Sequence, residues 1–120
     1  LAFVSEGDSQ LNYNDGFENI GIMNSDGGDL WYVTDDQFQN SYPNWSPDGN
    51  YLVYNSKQFG EKDIFVTSLQ NGEKYRITMD PGKDDHASWS ADGKTIAFAS
   101  ERSGNRDIWT VEIPDILNIE

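Results

Sequence analysis

The chain has 120 residues, no cysteine, and a formal net charge of −13 that comes from 21 acidic and 8 basic residues. The lack of cysteine excludes disulfides and thiolate metal sites, and a single histidine argues against a structural zinc site. The acidic excess argues against binding to the phosphate backbone of nucleic acids. No apolar run approaches the length of a membrane-spanning helix.

Residues 1–34 predict short strands around a polar insertion. The apolar run at residues 1–5 predicts one strand, and residues 19–20 and 31–33 predict two more. Between them, an insertion of seven residues lies within residues 6–18, and we expect this segment to be a loop. Its oxygen-rich side chains could bind calcium, although a solvated polar loop explains the same composition. The candidate ligands are Asp8, Asn12, Asn14 and Asp15.

The next unit, residues 42–78, predicts four short strands. The turn between the first two has serine first, proline second and glycine fourth, at residues 46–49, which suits a type I turn. The second strand, residues 52–54, is apolar at every position, and this pattern predicts burial on both faces. The four predicted strands are residues 43–45, 52–54, 63–66 and 75–78.

The pattern of this unit returns 44 residues later. Trp45-Ser46-Pro47-Asp48-Gly49 is repeated as Trp89-Ser90-Ala91-Asp92-Gly93, and strands are again predicted at residues 96–98 and 107–110. Four short strands in such a repeat are typical of one blade of a β-propeller. We therefore predict an all-β fold, a partial propeller of about three four-stranded antiparallel blades. The blades are residues 1–34 without strand A, residues 42–78, and residues 86–120 without a clear strand D.

Fewer than three full blades leave open apolar faces. Propellers close with roughly four to eight blades, and such repeats cannot bury their apolar faces alone. We therefore expect a partner for the open faces. Two alternatives remain, namely further blades of the same longer protein or a homo-oligomer in which copies of the chain complete the ring.

The repeat resembles a known family. The motif Pro43-x-Trp45-Ser46-Pro47-Asp48-Gly49, followed in the third unit by Ile96-Ala97-Phe98-x-Ser100 and Arg102-x-Gly104-x-x-Asp107-Ile108-Trp109, is similar to the WD40-like, PD40-type repeat of TolB propellers. Two departures are Gln58, where the motif has arginine, and Gly21, where it has an aromatic residue.

The resemblance implies a non-catalytic module that binds a protein or peptide through its long loops or central channel, in a periplasmic or extracellular setting. Similar repeats also gate serine peptidases of the tricorn and prolyl-oligopeptidase type. The alternative is therefore an accessory propeller whose catalytic domain lies outside this chain. A third possibility is a sugar- or metal-dependent enzyme that uses acidic residues at the channel.

The long loops of the propeller are predicted to form the interaction face. They connect strand B to C and strand D to the next strand A, at residues 6–18, 35–41, 57–62, 79–85 and 101–106, and binding residues concentrate on such loops. The ligand-face candidates are Asp35, Asp36, Phe38, Asp84, Asp85, His86, Arg102 and Arg106.

Other recurrent residues have structural interpretations. The two tryptophans favour blade packing over ligand stacking, and the aspartates before strand C favour hydrogen bonds to backbone amides over a catalytic role. His86 would need a nucleophile nearby to act as a base, and no Gly-x-Ser-x-Gly motif occurs, so we expect no enzymatic activity. The residues assigned to the repeat are Trp45, Asp48, Gly49, Asp63, Trp89, Asp92, Gly93 and Asp107.

Overall fold

The computed structural model of the chain describes residues 2–8, 13–23, 26, 28–29, 31–34, 38–79 and 82–113. The regular elements formed by these residues are strands. The described part of the chain contains no helix that is long and apolar enough to cross a bilayer. The strands are β1 (Ala2–Asp8), β2 (Tyr13–Ile22), β3 (Trp31–Tyr32), β4 (Asn40–Trp45), β5 (Tyr51–Phe59), β6 (Glu61–Ser68), β7 (Lys74–Arg76), β8 (Asp84–Trp89), β9 (Thr95–Ser100) and β10 (Asp107–Glu112).

The strands form three antiparallel sheets that follow one another along the chain. The middle sheet has the order β4-β5-β6-β7 and is a complete four-stranded blade. The first sheet, β1-β2-β3, is equivalent to strands B, C and D, and the third, β8-β9-β10, to strands A, B and C. The predicted all-β partial propeller is therefore confirmed. Residues 114–120, at the position where strand D of the third blade would follow, lie outside the described residues.

Two segments predicted as loops are paired strands instead. In the insertion, Glu6 pairs with Glu18 and Asp8 with Tyr13, so β1 and β2 extend beyond the sheet as a hairpin. In the middle sheet, Phe59 pairs with Glu61, and the chain turns at Gly60, whose φ is 106°. Hairpin arms are held by backbone hydrogen bonds, which need no apolar side-chain pattern, and the polar composition therefore misled the prediction.

The core lies between the sheets. Leu52 and Tyr54 of β5 pack with Ile20 and Ile22 of the first sheet, whereas Val53 packs toward the third sheet. All three β5 residues are fully buried, as the uninterrupted apolar run predicted. Burying one such side chain contributes about 1.5–3 kcal/mol, so most of the stability of the middle sheet depends on having a neighbour on each side.

The third sheet shows what happens where a neighbour is missing. Ile64 and Phe65 of β6 are 0% and 2% exposed, whereas their counterparts in β10, Ile108 and Trp109, are 73% and 38% exposed. No other described strand pairs with β10 beyond β9. The described part of the chain therefore leaves an apolar strand open at this edge.

The repeated turns have the same hydrogen bonds in both units. The Ser46 hydroxyl donates to Asp48 Oδ1 at 2.6 Å and accepts from the backbone N–H of Tyr51 at 3.0 Å. The equivalent distances at Ser90 are 2.6 and 3.1 Å. Gly49 and Gly93 have φ values of 76° and 73°, in the left-handed region that favours glycine.

The two repeated tryptophans have different surroundings. Trp89 packs against the core between the second and third sheets, and its Nε1 donates to the carbonyl of Asn44 at 3.3 Å. Asn44 Nδ2 donates in turn to the carbonyl of Ala87 at 2.9 Å. Trp45 is 39% exposed. In the first sheet Ala2 pairs with Ile22 as Val53 pairs with Val66 in the middle sheet, so Ala2 corresponds to Val53. No described residue of the first sheet corresponds to Asn44.

This difference yields a matched pair of variants. Trp89→Ala is expected to lower the free energy of unfolding by about 3 kcal/mol, because it removes buried ring contacts and a hydrogen bond between sheets. Trp45→Ala, at the equivalent position, is expected to cost less than about 1 kcal/mol. Urea unfolding followed by circular dichroism measures both losses, and equal losses would contradict the assignment.

The turn aspartates make the fold sensitive to acid. The pKa of Asp48 and of Asp92 is lowered, first by the hydrogen bond from the serine hydroxyl and then by a backbone N–H. Because the pKa in the folded state lies below the unfolded value of about 3.9, the charged carboxylates stabilise the fold above that value. This stabilisation is lost as the pH falls through the lowered pKa.

The test compares the wild type with a double variant, Asp48→Asn with Asp92→Asn, which keeps the side-chain shape. We expect the gap between the two melting temperatures to narrow as the pH falls from neutral to below about 3. Thermal unfolding followed by circular dichroism measures this gap. A gap of constant size across that range would show that the charges contribute nothing.

Candidate binding site between the second and third sheets

The two ends of the sheets differ in their connections. We call the end with the Gly60 turn and residues 101–106 the hairpin end, and the end with turns 46–49 and 90–93 the short-turn end. The hairpin end corresponds to the predicted long-loop face. β4 and β8, the first strands of their sheets, both begin there.

The backbone of β4 and β8 is irregular at one equivalent position. The pairing shifts between Ser41 and Asn44 in β4 and between Asp85 and Ser88 in β8. Within these bulges, Tyr42 has a φ of 55° and His86 a φ of 56°. Side chains other than glycine rarely adopt such values, which cost on the order of 1–3 kcal/mol and are concentrated at functional sites.

The two strained residues bring their rings together. The ring centroids of Tyr42 and His86 are 4.1 Å apart, with an interplanar angle of 41°. Tyr42 is 48% exposed, and the side chain of His86 is 50% exposed. Lys62 Nζ lies 5.6 Å from the Tyr42 ring centroid, which is within cation–π range. The bulges therefore present an aromatic pair to solvent beside a cation.

A buried carboxylate holds this group together. The side chain of Asp85 is 3% exposed and accepts hydrogen bonds from Arg106 Nη2 and from His86 Nδ1, the latter at 2.9 Å. Lys62 Nζ lies 3.9 Å from the other carboxylate oxygen. Burial on its own would raise the pKa of Asp85, but the hydrogen bonds and charges of His86 and Arg106 lower it further than burial raises it. Asp85 is therefore ionised at neutral pH and fixes three side chains around it.

We call Tyr42, Lys62, Asp85, His86 and Arg106 the aromatic–cation cluster. Three of the predicted ligand-face residues belong to it, namely Asp85, His86 and Arg106. Sequence reasoning missed the other two. Tyr42 occupies the same repeat position as His86, 44 residues earlier, and that equivalence is the signal that points to it.

The other predicted ligand-face residues lie elsewhere. Asp84 is fully buried, with Arg102 Nη2 3.8 Å from its carboxylate, and Arg102 lies over the Trp109 ring at 4.6 Å. Phe38 is 37% exposed, whereas Asp35 and Asp36 are outside the described residues. Asp84 and Asp85, which the sequence placed at the end of the loop at residues 79–85, are instead buried at the start of β8 beside arginines.

The aspartate before strand C of the middle sheet is bound by side chains of that sheet. Asp63 is 3% exposed and accepts from Arg76 Nη2 at 2.7 Å and from the Thr78 hydroxyl at 3.4 Å. The Thr78 hydroxyl also accepts from the backbone N–H of Ile64, at 3.0 Å. Hydrogen bonds from backbone amides to this aspartate stay a prediction. Asp107 is exposed and accepts from the Ser103 hydroxyl at 2.8 Å.

The predicted calcium ligands are distributed along a hairpin. Asp8 lies in β1, and Asn14 and Asp15 lie in β2, whereas Asn12 is outside the described residues. Within the described ranges, no group of three or more acidic or histidine residues could hold a metal ion. Calcium binding at the insertion stays a prediction.

No curated protein matches the chain, whereas several solved structures share its fold. A TolB-type protein from Agrobacterium tumefaciens is 31% identical, with a TM-score of 0.75 over 82% of this chain and 35% of that one. TolB from Acinetobacter baumannii is 23% identical, with a TM-score of 0.67 over 79% of this chain and 24% of that one.

The tricorn protease is 18% identical, with a TM-score of 0.61 over 75% of this chain and 10% of that one. This likeness concerns the fold alone. The chain thus spans about a third or less of the length of each of these proteins. The profile of the TolB beta propeller domain matches residues 6–116, and the chain belongs to that family.

Proposed function

We propose that this chain is a non-catalytic recognition module that binds a protein or peptide at the hairpin end, through the aromatic–cation cluster. The observation that supports this most is the matched backbone strain at Tyr42 and His86. Two bulges hold exposed aromatic side chains in contact at a cost in free energy. Exposed aromatic and arginine side chains of this kind supply most of the binding energy in many interfaces.

The charges of the cluster favour an acidic or carboxylate-bearing segment. Lys62 and Arg106 carry two positive charges, and Asp85 carries the one negative charge of the cluster. Arg106 is 44% exposed in its side chain and retains donors that Asp85 does not occupy. In a chain with a net charge of −13, this is a local cationic site.

The setting and the class of activity follow from the resemblance to TolB propellers. We place the protein in the periplasm or outside the cell and assign it no chemistry of its own. The alternative is an accessory propeller of a larger peptidase, because the chain shares its fold with a part of the tricorn protease. Cleavage of peptides that bind the chain, by the protein isolated from its native source, would support that alternative.

Selection from a phage-displayed peptide library tests the proposed binding site. Tyr42→Ala and Arg106→Gln are each expected to weaken binding of the selected peptides about tenfold, which corresponds to about 1.4 kcal/mol. Tyr32→Ala is the matched control, because Tyr32 is similarly exposed at 45% but lies on β3 of the first sheet. Isothermal titration calorimetry measures the affinities. If all three variants change the affinity equally, the peptides do not bind at the proposed site.

We also propose that the open edge at β10 is covered by another blade, either from the same protein or from a second copy of the chain. The support is the contrast between Ile108, which is 73% exposed, and its buried counterpart Ile64. Large exposed apolar surfaces of this kind mark interaction sites.

Light scattering of the purified chain distinguishes these two sources. If copies complete the ring, the wild type has a mass that rises with concentration, and Ile108→Lys shifts it toward the monomer because a charge cannot be buried there without a partner. Met79→Lys, at a position that is 71% exposed outside β10, is the control and leaves the mass unchanged. A wild type that stays monomeric at all concentrations contradicts assembly of copies and leaves further blades of the same protein.

A further inference from the structure

A cleft of about 290 Å³ lies at the short-turn end, between the second and third sheets. Its lining is apolar at Pro47, Tyr51, Trp89 and Ile113 and acidic at Asp48 and Asp92. The cleft is formed by the repeat itself, because turns 46–49 and 90–93 stand side by side on adjacent sheets. It lies at the opposite end of the blades from the aromatic–cation cluster.

The two carboxylates are held in the same way. In each, Oδ1 accepts from a serine hydroxyl at 2.6 Å and from a backbone N–H, at 2.9 Å for Asp48 and 3.0 Å for Asp92. In both aspartates these two hydrogen bonds go to Oδ1, and a carboxylate can accept further bonds at its other lone pairs. The hydrogen bonds lower the pKa of both groups, so both carry a negative charge at neutral pH. The positive charge of Lys94 also acts on Asp92.

The apolar part of the cleft contains two aromatic rings, and a hydrogen bond fixes the orientation of one of them. The ring centroids of Tyr51 and Trp89 are 6.3 Å apart, at an angle of 35°. The indole N–H of Trp89 is directed to the carbonyl of Asn44, at 3.3 Å, and this bond holds the ring in one orientation. Aromatic faces attract cations, most strongly at tryptophan.

These features together select one kind of side chain. An arginine has an apolar stem that can lie along Pro47 and Ile113 and a planar cation that can stack on an aromatic ring. Its several N–H donors match carboxylate oxygens that are still able to accept hydrogen bonds. The volume is at the lower limit of ligand pockets, which are about 300–1,000 Å³, so it suits one side chain better than a larger molecule.

We propose that this cleft binds an arginine side chain of a partner peptide or protein. The site does not depend on the proposed function at the hairpin end, because it uses different residues at the other end of the sheets. A partner that binds at the short-turn end therefore needs an arginine there.

The test uses nuclear magnetic resonance of the full chain with short blocked peptides as probes. The reporter is the indole N–H signal of Trp89, assigned with Trp89→Phe. Acetyl-Gly-Arg-Gly-amide is expected to shift this signal in a saturable way, with a dissociation constant in the millimolar range. The same peptide with citrulline, which has nearly the same shape and no charge, is expected to bind at least about tenfold more weakly.

Single variants locate the charge that matters. Asp48→Asn and Asp92→Asn keep the acceptor oxygen and remove the charge, and each is expected to weaken binding of the arginine peptide several-fold. Asp26→Asn is the matched control, because Asp26 also accepts a backbone N–H, from Gly28 at 2.8 Å, in an exposed turn outside the cleft. That variant is expected to bind the arginine peptide as the wild type does, and added salt is expected to weaken binding.

Three results would overturn the proposal. The first is no shift of the Trp89 signal at the highest peptide concentration. The second is equal affinity for the arginine and citrulline peptides, or for acetyl-Gly-Leu-Gly-amide, which would indicate an apolar groove without charge selection. The third is a loss of affinity with Asp26→Asn as large as with the two cleft variants, which would indicate attraction to the net charge alone. The citrulline comparison is made on the wild type, so it remains decisive if a variant fails to fold.

Discussion

A sheet that is apolar on both faces is stable only between two other sheets, and the rest of this structure depends on that constraint. In β5, consecutive residues alternate between two cores, with Leu52 and Tyr54 on one side and Val53 on the other. The middle sheet has both neighbours, and its strands β5 and β6 are buried along most of their length. The third sheet has one neighbour among the described residues, and β10 is exposed at nearly every position. The equivalent strands β6 and β10 thus differ in burial, because a sheet packs on each side of the middle sheet but on only one side of the described third sheet.

Buried polar groups then fix the register of the strands within a sheet. The Thr34 hydroxyl in the first sheet accepts from the N–H of Ile20 at 2.9 Å and donates to Asn19 at 3.0 Å. Thr78 repeats this arrangement with Ile64 and Asp63 in the middle sheet. A buried polar group without a partner costs about 1–3 kcal/mol, so each bond penalises a strand that moves out of register. Contacts between apolar side chains, which have no preferred direction, would not impose that penalty.

The features that sequence reasoning found are those with short-range causes. The two Ser-x-Asp-Gly turns contain their own hydrogen bonds, and the apolar run of β5 reports burial directly. The misinterpreted features depend on partners distant in sequence. Asp85 is buried because Lys62 and Arg106, 23 and 21 positions away, neutralise it, and no local pattern reveals that pairing. Tyr42 could have been found, because the repeat places it opposite His86.

The two ends of the interface between the second and third sheets have opposite electrostatic character. The cations Lys62 and Arg106 surround Asp85 at the hairpin end, and the carboxylates of Asp48 and Asp92 flank the cleft at the short-turn end. Strands β4 and β8 have six residues each, so the ends are separated by roughly 20 Å at about 3.3 Å per residue. A single small ligand cannot reach both ends, whereas an extended segment of a protein can.

Between the two ends, Asn44 connects β4 to β8 through its bonds with Ala87 and Trp89. A ligand at either end that contacts both strands stabilises this same interface, since anything that binds only the folded state raises its stability by mass action. Both ends are thus positioned by one pair of strands, and the bonds of Asn44 lie between them.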